Sequence, residues 1–129
     1  MKSDFDYTVT SHKDFDSATR SVAEEIAKAG MQVLHVHDVR ETLAAKGFVR
    51  EPFKIIEFCN AQYASRFLEA DTRLGLCMPC KINVYLKDGT TYLSGMRPIV
   101  LPEFFPDVDL GTMPSEIDQK VRAIIDNAK

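Results

Sequence analysis

Apolar and polar residues alternate at the start of the chain. Phe5, Tyr7 and Val9 interleave with Asp6, Thr8 and Thr10, the period-two pattern of a half-buried strand. The period then lengthens: Phe15, Ala18, Val22 and Ile26 recur at helical spacing, with Asp14 placed to cap the helix and Gly30 to end it. Met31 to Val39 reads as a second strand. Asp38 with Glu41 makes an Asp-x-x-Glu capping box on a short helix that stops at Gly47. Phe53 to Cys59 is a third strand. Asn60 can cap a helix over Ala61 to Ala70, with Ala64, Phe67 and Leu68 as its apolar stripe. Leu76 and Ile82 to Leu86 begin a hairpin whose turn is Asp88-Gly89, a pair that tolerates the positive φ angles of a type I′ loop. Thr91 to Met96 returns as the partner strand.

Pro98, Pro102, Pro106 and Pro114 punctuate the next segment. Proline lacks a backbone donor, so irregular chain is expected there. The segment still carries Ile99, Val100, Leu101, Phe104 and Phe105, and so must cover a core edge, a pocket or a partner subunit. Ser115 with Asp118 opens a final helix whose buried face is Ile117, Val121, Ile124 and Ile125. Helices alternate with strands early and a hairpin comes late. This order predicts a single α+β domain over residues 1–129, two-layered, with a mixed or antiparallel sheet of about five strands and three to four helices packed on it. No Gly-x-Gly-x-x-Gly or Gly-x-x-x-x-Gly-Lys run supports a doubly wound nucleotide fold.

Composition narrows the classes of function. The 129 residues, 45% hydrophobic and 27% charged, suffice for one globular core. A net charge of -3 with scattered Lys and Arg argues against a nucleic-acid surface. No apolar stretch approaches the roughly 20 residues that span a bilayer, and Met1 to Asp6 contains no apolar leader core. Three cysteines without an export signal point to a reducing cytoplasm rather than to a disulfide scaffold.

The run Phe53-Lys54-Ile55-Ile56-Glu57-Phe58-Cys59-Asn60 follows Asp38-Val39 and the short helix. Ala64, Leu68-Glu69-Ala70, Gly75-Leu76, Pro79-Cys80, Val84-Tyr85 and Asp88-Gly89 come next. In these elements the chain resembles the DUF302 family of small bacterial and archaeal domains, most specifically in its Cys-Asn and Pro-Cys pairs. The resemblance spans the first strand through the hairpin and is looser at the C-terminus. It implies a single α+β domain that assembles as a homodimer, and it supplies no activity. Ala61 stands where the family usually has proline and Glu57 where it often has glycine. Cys77 replaces an aliphatic residue, and His35 and His37 stand where Thr and Ile are usual.

The candidate chemistry lies in the cysteines. Cys59 ends a strand beside the cap Asn60, where helix-terminal N–H groups and the helix dipole would favour thiolate; the alternative is a small packing residue. Cys80 follows Pro79 at the mouth of a strand and is expected beside Cys59 in space. Such a pair can form a reversible disulfide or hold a soft metal such as Cu(I). Cys77-Met78-Pro79-Cys80 has thioredoxin spacing, but it opens a strand and not a helix. His35 and His37, two apart in a strand, share a face. With Glu57 they form a weaker metal- or proton-handling candidate, or else a solvent-facing patch. Only Cys59, His35, His37 or His12 could complete a zinc site with the Cys-x-x-Cys. No Ser/His/Asp order or Gly-x-Ser-x-Gly elbow supports a hydrolase.

The leading expectation is a thiol-based binding or sensing module for a small ligand, a soft metal or an oxidant, acting through Cys59, Asn60, Cys80 and Cys77. One alternative is a dimeric interaction domain without chemistry. The other is a small-molecule enzyme with a pocket under the 98–114 segment and a His or Glu base.

Overall fold

The computed structural model describes residues 4–129. The reading of Met1, Lys2 and Ser3 as free of an apolar leader lies outside these described residues. Five strands form one sheet: β1 (Asp6–Ser11), β2 (Gln32–Asp38), β3 (Phe53–Cys59), β4 (Cys80–Lys87) and β5 (Thr90–Met96). Their order is β1-β5-β4-β3-β2 and every pairing is antiparallel. The β4–β5 hairpin therefore sits inside the sheet. Its turn uses positive φ at both Asp88 (51°) and Gly89 (82°), as a type I′ loop requires.

Five helices accompany the sheet: α1 (Phe15–Lys28), α2 (Val39–Ala44), α3 (Ala61–Ala70), α4 (Leu101–Phe104) and α5 (Met113–Ala128). The expected caps form. Asp14 accepts from the Ser17 N–H, Asp38 from Glu41, and Asn60 from both Gln62 and Tyr63. Each satisfies backbone donors that a helix start leaves unpaired. Ala18, Val22 and Ile26 of α1 and Ile117, Val121, Ile124 and Ile125 of α5 are buried in one core with Ile56, Phe58, Ile82, Val84 and Leu93 of the sheet. Alternation along each strand sends these sheet residues to the helix-covered side and their neighbours to the other face. Gly95 lies where α5 comes closest: a Cβ there would meet Ile125 Cδ1 and Val121 Cγ1, each at 3.1 Å.

Several local expectations change. The last helix begins at Met113, with Pro114 in its first turn, and not at Ser115. Proline is accepted there because those N–H groups have no helical partner to lose. Asp118 does not cap that helix but is buried in it. Both its oxygens accept from Arg97 (3.1 and 3.0 Å), and Arg122 lies 3.2 Å away, so the end of β5 is tied to α5. Leu76 does not lead into the hairpin. It lies in a 3₁₀ helix, Thr72–Cys77, opened by Asp71 accepting from the Arg73 N–H. The stripe of α3 is also rotated: Phe67 is buried and Tyr63 packs on the core, while Leu68 is partly exposed and lies over Gly75. The proline-rich segment folds as a 3₁₀ turn (Pro98–Val100), α4 and further turns, with Val100, Leu101 and Leu110 buried.

Candidate functional site

The register of β3 against β4 pairs Phe58 with Cys80. Cys59 is the next residue, so it stands at the end of one strand, one position on from the residue that pairs with Cys80 at the start of its neighbour. Both cysteines line one cavity of about 30 Å³, together with Met31 and Met78. Tyr63, Ala64 and Phe67 of α3 and Ile117 of α5 close it from the helix side. Four sulfur-containing residues thus border a space about the size of one water molecule or one ion. The expected proximity of Cys59 and Cys80 is present in the fold, and all three cysteines are free thiols.

The electrostatics differ from the sequence expectation. The Asn60 side chain occupies the N–H groups of Gln62 and Tyr63, so these donors are not aimed at the Cys59 thiol. Instead, the Cys59 thiol donates to the Asn60 carbonyl at 3.6 Å. Burial pushes its pKa up, only partly opposed by the backbone hydrogen bond at Asn60. The Cys80 thiol is pushed up to about 11, first by burial and then by the neighbouring Cys59. Near neutral pH the local environment therefore favours two protonated thiols, not the thiolate expected for Cys59.

Cys77 and Cys80 line a second, larger cavity of about 150 Å³ that shares Phe67, Met78, Pro79, Cys80 and Ile117 with the first; the Met78–Pro79 peptide between the two cysteines is cis. Met78 and Met96 contribute two more sulfurs, and Phe67, Leu74, Leu101 and Ile117 contribute apolar walls. Pro98 and Leu101 form its roof, so the proline-rich segment does cover a pocket. Among the described residues no His, Asp or Glu lines that pocket, so the His or Glu base expected for an enzyme is not found there. Phe104 is largely exposed, and Phe105 packs on the core with Arg73 over its ring.

The histidine candidate forms a separate cluster. His37 Nε2 contacts Glu57 Oε1, the His35 and His37 rings meet edge to face at 4.4 Å, and His35 pairs with Glu57 across the strands. The contact with His37 holds the Glu57 carboxyl below its usual range, with Lys81 and His35 adding smaller contributions. These residues line neither sulfur-containing cavity. His12 lies apart in a shallow cleft with Lys13, Asp14 and Thr91. Among the described residues no three His, Cys, Asp or Glu side chains gather as ligands, so no zinc-type set is built. Sequence reasoning had no means of finding the methionines. Met31, Met78 and Met96 are all apolar in any pattern; Met78 adjoins Cys77 in the chain, while only tertiary packing brings Met31 and Met96 near the cysteines.

The fold and site define a small two-layer α+β domain with sulfur-lined cavities at one end of an antiparallel sheet. The chain belongs to the DUF302 family, described as a domain of unknown function, whose profile matches residues 7–128. The structure is similar to the crystal structure of an uncharacterized conserved DUF302 protein from Bacillus stearothermophilus. The two share 30% sequence identity with a TM-score of 0.91, over 98% of this chain and 100% of the other. No curated protein matches the sequence. Among the described residues, no helix is long and apolar enough to cross a membrane.

Proposed function

We propose that this domain is a binding module for a single soft metal ion, Cu(I), held by Cys59 and Cys80. The observation that supports the reading is an ion-sized cavity lined by two cysteines, Cys59 and Cys80, and two methionines, Met31 and Met78. Cu(I) prefers thiolate and thioether sulfur and accepts low coordination numbers, so two cysteines with a methionine suffice where zinc would need more ligands. Binding forms two Cu–S bonds and releases one proton from each thiol to solvent. Because both thiols start protonated, affinity rises with pH. Cys77 lines only the larger cavity and is not a ligand in this reading.

Competition between the reduced protein and a Cu(I)-specific chelator tests it. One equivalent of Cu(I) is expected on the wild type and on Cys77→Ser, with loss of at least tenfold in affinity for Cys59→Ser and for Cys80→Ser. Equal affinity in all four proteins would sink the proposal.

A second reading concerns assembly. The long helices α1 and α5 pack on one side of the sheet. The opposite face carries the stacked rings of Phe53, Tyr85 and Tyr92, with centroids 5.3 and 5.2 Å apart. A second copy packed on this face would bury that ladder, which favours a homodimer.

A further inference from the structure

We infer that the larger cavity is a binding site for a small organic carboxylate with an aromatic or short aliphatic body. The cavity lies where β4 begins and β5 ends, between the 3₁₀ helix Thr72–Cys77 and the turn at Pro98. Its volume of about 150 Å³ is that of an apolar cavity that takes a benzene-sized guest. Its walls are Leu74, Cys77, Met78, Met96, Leu101, Ile117 and similar apolar groups, none of which could anchor a sugar, a nucleotide or a peptide backbone. Two thioethers give the walls an adaptable, polarisable surface suited to a flat ring or an alkyl chain.

One charged residue lines the cavity, Lys81, and it is exposed. Its ammonium has one long hydrogen bond, to the Pro79 carbonyl at 3.4 Å, and it faces Glu57 across the strands. Glu57 is already engaged by His37, which leaves the ammonium capacity for a second anionic partner. Leu76 also lines the cavity while 88% exposed. A leucine so open to water at the rim of an apolar space is placed to fold over a guest and lose that exposure. An apolar body inside and a carboxylate at Lys81 satisfy both features together.

The two cavities share Met78 and Cys80, but Cys59 lines only the smaller one, so a change at Cys59 separates this inference from the copper reading. The test uses benzoate and its neutral analogue benzyl alcohol, followed by NMR of the protein labelled at methionine methyls. Saturable shifts at Met78 and Met96 are expected with both, with benzoate the tighter. Lys81→Met, a change at an exposed side chain, is expected to weaken benzoate about fivefold and leave benzyl alcohol unchanged. Cys59→Ser is expected to bind benzoate as the wild type does, whatever its effect on Cu(I). Three results overturn the inference: no saturable shift at these methyls, equal affinity for the two probes, or a Lys81→Met variant that affects both probes alike or neither.

Discussion

Cys80 is half-buried at the start of a strand, and its surroundings make the charged form costly. Burial raises its pKa from 9.0 to about 11, so the folded state holds the proton more tightly than the unfolded chain. The linked stabilisation is fully present below about pH 9 and is lost as the pH rises through about 11. Iodoacetamide labelling read by mass spectrometry should show Cys80 slow at pH 7 and accelerating only above about pH 10. Ready modification at pH 7 would contradict this. The position of both thiols was legible in the chain, because caps and prolines mark where strands end. Their charge state was not. It depends on what covers them, and the α3 and α5 side chains over Cys59 are contributed by tertiary packing. Asn60 illustrates the same limit: its role as a cap was readable, and that very role diverts the helix-start donors from Cys59.

At the scale of elements, β3 and α3 fall where their patterns place them, and the Asp88-Gly89 turn has the expected geometry. The 3₁₀ helix Thr72–Cys77 was not legible, since six residues with one buried leucine carry no usable period. Likewise, Asp118 three residues after Ser115 looks like a cap. Its partnership with Arg97 becomes visible only when β5 and α5 are in place. The contact between those two elements sets a testable limit at Gly95. Gly95→Ala would press a methyl against Ile125 and Val121 at 3.1 Å, closer than ordinary packing allows. A loss of about 1 kcal/mol in urea unfolding is expected, less than a full overpacking penalty because the two contacted atoms are side-chain ends. An unchanged midpoint would mean that α5 sits further from β5 than described.

For the whole molecule, the antiparallel sheet separates two faces of different character. One is sealed by α1 and α5, and the other presents the Phe53–Tyr85–Tyr92 ladder. If that ladder is the homodimer face, Tyr85→Arg in its centre should convert dimer to monomer in sedimentation velocity without loss of helix content. A wild type that sediments as a monomer at every concentration would exclude the assembly. The sulfur cavities lie at the end of the sheet, so their chemistry can be probed separately from assembly. The most direct probe of the metal reading is X-ray absorption at the copper edge on the Cu(I)-loaded protein. Two cysteine sulfurs are expected in the first shell, with a third sulfur where a methionine joins, and Cys59→Ser or Cys80→Ser should remove one of them. A first shell of imidazole nitrogen, as binding at His35 and His37 would give, would contradict the assignment of Cys59 and Cys80 as the metal-holding pair.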